Sequence, residues 1–204
     1  MNLANKITIT RICMIPFFIL FMELGGTYNS ILALLVFCTA SVTDLLDGRI
    51  ARKNKTVTSL GIFLDPLADK LLISAAFIYF IKIPILGVAT WMVIIIVARE
   101  FLIIGLRSIA ATRRIMIPAD KIGKFKTTSQ ILAIIIIMVI IIFLVNNVFF
   151  KFFGITQSTL KNSYSTIFIV MKKTPFWVTF VVVVLTVYSG IKYVWKYRKL
   201  LIEN

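Results

Sequence analysis

The sequence contains no histidine and only two cysteines. The first absence removes imidazole general bases, the Ser/His triad and histidine metal ligands. Cys13 and Cys38 both sit in apolar runs, so they read as small core side chains, not as a disulfide or a zinc site. Acid is scarce as well: eight Asp and Glu face 23 Lys and Arg, a net charge of +15. Polar surface as a whole is in short supply, since 60% of the 204 residues are hydrophobic and the mean hydropathy is +0.99. Soluble domains are about half apolar. A soluble enzyme, a disordered chain and a free nucleic-acid-binding domain are therefore excluded. The basic balance points to cytoplasmic loops and anionic membrane lipid, with no nucleic-acid partner. Catalytic chemistry is left to Asp, Glu, Lys, Arg and hydroxyl groups.

What the chain does have is apolar runs. They fall at 12–24, 31–46, 71–81, 86–106, 129–150 and 176–195. The length suits six spans of ~20 residues with short loops. The prediction is one all-α membrane domain over residues 1–204, with six transmembrane helices. The second run continues through Thr43 to Ala51, and the third lengthens if 61–68 joins the same helix. The polar ends of these two spans then face each other across a loop at 52–60. The first run contains Pro16, ends at Glu23 and lacks a small-residue cleavage site, so it reads as a span, not a cleaved signal. The stretch 146–175 reads as an outer loop. With both termini inside, 16 of the 23 basic residues fall in inner segments and five in outer ones, while Lys70 and Arg99 lie within spans. The positive-inside rule thus predicts cytoplasmic termini, with the polar ends of spans two and three on the same side.

The few acidic residues cluster. Four of the eight, Asp44, Asp47, Asp65 and Asp69, fall within 26 residues, at or near membrane depth. An ionised Asp there costs several kcal/mol unless it meets a partner, and four together repel unless cations sit among them. At helical spacing Asp44, Asp47, Gly48 and Ala51 share one stripe, while Asp65 and Asp69 are i,i+4 on another helix. Pro66 implies that this helix starts at Asp65 as its cap or is kinked there. Short carboxylates from two helices suit Mg²⁺ or Mn²⁺. Four can hold two ions, as phosphoryl transfer uses them. Gly48, Ala51 and Gly61 allow close approach of a ligand or of another helix. Arg52, one turn beyond Gly48, is placed to fork a phosphate, although topology alone accounts for a cation there.

The pattern Asp44-x2-Asp47-Gly48-x2-Ala51-Arg52-x8-Gly61-x3-Asp65-x3-Asp69 resembles the signature of the CDP-alcohol phosphotransferases at all eight fixed positions. The resemblance implies a six-span membrane enzyme, generally a homodimer, that moves a phosphatidyl or similar group from a CDP-linked donor to an alcohol and releases CMP. It further implies that Asp44, Asp47 and Asp65 bind divalent metal, and that Asp69 is the base and also touches metal. Gly48 and Arg52 would contact the nucleotide, with Thr58 as a hydroxyl partner. Asn5-x2-Thr8-x2-Arg11 resembles the family's interfacial helix over the nucleotide pocket, so a short amino-terminal helix with Asn5 and Thr8 on the donor is expected.

A second stretch, Ala98-Arg99-Glu100-Phe101-Leu102-Ile103, Gly105-Leu106-Arg107 and Gly123-Lys124-x-Lys126-Thr127, is similar to the phosphatidylglycerophosphate synthases within that family. This implies CDP-diacylglycerol as donor, sn-glycerol 3-phosphate as acceptor, and a bacterial cytoplasmic membrane with the site facing the cytoplasm. Arg113-Arg114 depart from the glycine-like turn expected there. A phosphorylated acceptor needs cations near the metals, and Arg107, Lys124 and Lys126 are the candidates, against a purely topological role. Arg99 and Glu100 lie within a span and should pair with opposite charges. Lys192 and Lys196 read as snorkelling residues. Other acceptors, phosphatidylglycerol (giving cardiolipin) or inositol phosphate, fit the same motif. A cation or proton transporter would use the aspartates as its ion site. Against it, they sit at helix ends beside a basic loop and not at mid-membrane on broken helices.

Overall fold

The computed structural model describes residues 3–54, 59–112, 121–145 and 165–202. Every regular element among them is helical: α1 Leu3–Leu24, α2 Gly26–Asn54, α3 Ser59–Ile81, α4 Thr90–Thr112, α5 Lys121–Ile140 and α6 Ser165–Ile202. A 3₁₀ turn, Pro84–Leu86, precedes α4, and a π-helical turn, Ile141–Val145, ends α5. Gly25 and Gly26, at φ 63° and 78°, reverse the chain between α1 and α2 within a residue or two. That left-handed backbone is open to glycine at little steric cost. Short links also join α2 to α3 and α3 to α4, so successive helices run in opposite directions.

The apolar side chains explain the packing. Phe18 of α1, Phe37 of α2, Phe77 and Phe80 of α3, Met92 and Ile96 of α4, Ile134 and Ile137 of α5, and Val182 of α6 belong to one buried cluster. Helix α1 packs along α2 and α3, α3 meets α4, and α6 lies along both α4 and α5. The outer faces are apolar too. Tyr28, Trp91, Trp177, Phe125 and Trp195 are exposed, an apolar exterior that water would not tolerate over such an area.

By length and composition, Gly26–Thr43, Phe125–Phe143 and Ile169–Arg198 are long and apolar enough to cross a membrane, and Lys70–Ile81 is a shorter apolar segment. Arg99, Glu100 and Arg107 interrupt the uncharged run of α4. Among the described residues six helices are present, and three of them contain such a membrane-crossing stretch.

Several boundaries differ from the sequence reading. The amino-terminal stretch is not a separate short helix but the first half of α1, which runs through Pro16 without a break. Helix α3 begins at Ser59, so Asp65 is not its cap. Helix α6 starts at Ser165, so the second part of the expected outer loop is helical and Pro175 lies inside a helix. On either side of it Thr174 donates to Val170 O and Thr179 to Pro175 O, both at 2.7 Å. At 38 residues, α6 is about 57 Å long, nearly twice the ~30 Å hydrocarbon core.

Candidate active site

The site begins with where apolar sequence stops. In α2 the residues from Gly26 to Thr43 carry no charge, and Asp44 is the first charged residue after them. In α3 the uncharged stretch runs from Leu71 to Ile81, directly after Asp69 and Lys70. Both helices continue without a break through the motif, α2 to Asn54 and α3 from Ser59. Because only 55–58 separate them, the two aspartate pairs lie at the same end of the bundle, each just beyond apolar helix. Asp44, Asp47, Gly48 and Ala51 keep one helical stripe, with Arg52 a turn past Gly48, and Asp65 and Asp69 remain i,i+4.

The side chains of Asp44, Asp47, Asp65, Asp69, Arg52, Asn5, Thr8 and Lys124 lie outside the described residues, as does Thr58 altogether. Among the described residues no three Asp, Glu, Cys or His side chains form a metal-binding group. The donor set fits a hard divalent cation on its chemistry: four carboxylates on two continuous helices, with neither imidazole nor thiolate in the motif.

The same end of the bundle carries the carboxy-terminal part of α4, the start of α5 and the end of α6. Arg107 of α4 is exposed, and its Nε donates to Tyr193 Oη of α6 at 3.2 Å. The guanidinium carbon lies 5.7 Å from the centre of the Tyr193 ring. Tyr193 is itself buried and tilted against Tyr197, with ring centres 4.9 Å apart. Guanidinium has five N–H donors, so this contact orients the fork and consumes only one of them.

Lys126, two residues after Lys124, is 1% exposed and ion-paired with Glu100 of α4, which is 2% exposed. Gln130, a turn further along α5, donates from Nε2 to the same Glu100 oxygen at 3.1 Å. Arg99 Nη1 stands 3.7 Å from the other oxygen of Glu100 and donates from Nη2 to Ser189 Oγ of α6 at 2.8 Å. The opposite-charge partners expected for Arg99 and Glu100 are therefore each other and Lys126. Lys192 and Lys196 are exposed on α6, with Lys196 Nζ 5.5 Å from the Tyr197 ring.

Sequence reasoning missed Gln130, Ser189, Gly190 and Tyr193. Helix α6 looked like a span and nothing more. The available signal was the i,i+4 pair of Ser189 and Tyr193 on one stripe of an otherwise apolar helix.

The sequence profile described as CDP-alcohol phosphatidyltransferase matches residues 1–158. Several proteins named CDP-diacylglycerol–glycerol-3-phosphate 3-phosphatidyltransferase are similar to this chain. That of Bacillus subtilis is 43% identical, over 65% of this chain and 74% of its own length. The Rickettsia typhi protein is 41% identical, over 65% and 74%. The Escherichia coli protein is 37% identical, again over 65% and 74%.

Proposed function

The chain belongs to the CDP-alcohol phosphatidyltransferase family, and from that premise we propose that it transfers the phosphatidyl group of CDP-diacylglycerol to sn-glycerol 3-phosphate, giving phosphatidylglycerophosphate and CMP. One observation carries the site: two aspartate pairs, on the last turns of α2 and the first turns of α3, lie at one end of the bundle, next to the uncharged stretches 26–43 and 71–81. The names of the relatives support the donor and the acceptor.

Asp44, Asp47 and Asp65, with Asp69 beside them, would hold Mg²⁺ or Mn²⁺, two ions by the number of carboxylates. Such ions, when bound, neutralise the diphosphate and lower the pKa of a nearby hydroxyl. Gly48 leaves room for the nucleotide, and Arg52, Thr58, Asn5 and Thr8 contact the donor. Asp69 takes the proton of the acceptor's primary hydroxyl. The hydroxyl oxygen bonds to the β-phosphorus of the donor as the bond from that phosphorus to the CMP oxygen breaks. The acceptor's phosphate meets Arg107, oriented by Tyr193, and Lys124, while Lys126 backs them from inside the bundle.

An acceptor panel tests this reading. Purified protein with CDP-diacylglycerol should release CMP with glycerol 3-phosphate and not with phosphatidylglycerol or inositol phosphate. No release with any alcohol, together with ion flux in vesicles, would make it a transporter. Arg107→Ala and Lys124→Ala should each raise KM for glycerol 3-phosphate more than for CDP-diacylglycerol, by roughly tenfold for a lost charged hydrogen bond. An equal rise for both substrates would reduce the basic segment to topology.

The chain is an integral membrane protein. We further read it as one domain of six spans in a bacterial cytoplasmic membrane, a homodimer, with both termini and the aspartates on the cytoplasmic side. The 16-to-five charge asymmetry supports this orientation. The ion pair of Lys82 with Glu23 then lies on the outer side, where it raises the lysine's pKa above its ordinary value. With Cys13 and Cys38 replaced, an impermeant thiol reagent on intact cells should label Lys82→Cys and spare Lys55→Cys. The opposite pattern would invert the topology.

A further inference from the structure

Glu100 sits in the interior of α4, and one carboxylate there joins three helices. Its Oε1 takes Lys126 and the Nε2 of Gln130 from α5. Its Oε2 faces Arg99, whose other Nη reaches Ser189 on α6. Arg99 can cross α6 at this point because residue 190 is glycine, where a Cβ would lie 3.2 Å from Arg99 Cγ. The arrangement is an expensive way to hold helices together, since well-packed apolar side chains stabilise as well as a buried ion pair or better. Its distinguishing property is direction. An ion pair with fixed hydrogen bonds specifies rotation and register, which interchangeable apolar contacts do not.

The position of the network gives that property a use. Glu100 lies seven residues, about 10 Å, along α4 from Arg107. Lys126 lies two residues from Lys124 at the start of α5, and Ser189 lies one turn from Tyr193, which orients Arg107. Each helix that meets Glu100 or Arg99 thus also carries an acceptor-site group or its support. Resting on the reading that Arg107 and Lys124 bind the acceptor's phosphate, we propose that Glu100 is a positioning residue for the acceptor site, setting α4, α5 and α6 so that these two cations converge. Lys126 acts through the same clamp and does not touch the phosphate: its ammonium is buried and held by a carboxylate. Without Glu100, two neighbouring cations would face each other without their shared counter-charge, and α4 and α5 would shift apart.

The test compares Glu100→Gln, Lys126→Gln and the double variant, with KM for each substrate, kcat and thermal midpoint measured per folded enzyme. Each single variant should raise KM for glycerol 3-phosphate by about tenfold to a hundredfold, the scale of an ångström-sized displacement of binding groups. KM for CDP-diacylglycerol should stay near native. The double variant removes Glu100 and Lys126 together and leaves Arg99 alone on Ser189, with no second cation facing it, so it should recover part of the loss. If Glu100→Gln alone fails to fold, the double variant carries the test in the same way. A double variant no better than Lys126→Gln would make Lys126 a direct phosphate ligand and overturn the proposal. So would single variants that lower only the thermal midpoint. An acceptor KM that moves in Lys124→Ala but not in Glu100→Gln removes the positioning role and leaves the acceptor site standing. One that moves in neither removes the acceptor site itself.

Discussion

Asp47→Asn should abolish CMP release while the protein still inserts and folds. Asn keeps the shape of the side chain and loses the ligand charge. On α2, Asp47 stands one turn from Asp44 and next to Gly48, just past the uncharged stretch 26–43. If it is one of the carboxylates that hold the divalent cations, its loss removes several kcal/mol of charge stabilisation at the diphosphate, about 10²–10⁴ in rate. Excess EDTA should have the same effect on the native enzyme, and Mg²⁺ or Mn²⁺ should restore it. Full activity in excess EDTA would end the metal assignment. Native turnover in Asp47→Asn would remove that residue from the ligand set.

The motif end of the bundle was the most legible part of the sequence, and the reason is physical. Carboxylates are so costly near hydrocarbon that four of them in an acid-poor chain must be either paired or functional. Continuation of α2 past Asp47 and of α3 back before Asp65 also followed, because Ile50 and Ala51 on one side and the mostly apolar stretch 61–68 on the other extend the helical pattern. Breakers misled where context overrode them. Pro66 and Pro175 both lie within helices, as proline can when neighbouring groups take over the freed carbonyls.

The network around Glu100 was legible only in half. An acid beside an arginine in an otherwise apolar helix announces that partners exist. It does not say which, because Gln130 is 30 residues away along the chain and Ser189 is 90 from Arg99. Ser189 sits singly in an apolar run, and Gln130 ends a polar stretch that begins at Lys126, so neither stands out in the hydropathy pattern. Lys126 is the instructive case. Its position in a basic segment reads as a surface cation, yet the rotation of α5 turns it inward to Glu100. That rotation is a tertiary fact, set by the packing of α5 against α6, α2 and α3.

Asp69→Asn should stop turnover and leave donor binding largely intact. Asp69 is the last of the four carboxylates, one turn past Asp65 and just before the uncharged stretch 71–81. In the proposed site it would serve the acceptor, with Asp44, Asp47 and Asp65 as the metal ligands. With no histidine anywhere in the chain, the hydroxyl's proton needs another acceptor, and a carboxylate beside divalent cations serves because they make the hydroxyl more acidic. Asn cannot take the proton. The chemical step should therefore slow by roughly the 10²–10⁴ of a lost general base, or by more if a cation is displaced as well. Donor affinity and single-turnover CMP release measured on the same variant separate the possibilities. Native affinity with a slow single turnover assigns the base. Affinity and rate that fall together, with the rate recovered at high metal concentration, would make Asp69 a ligand alone, and the proton would then have to leave by way of solvent or the substrate's own phosphate.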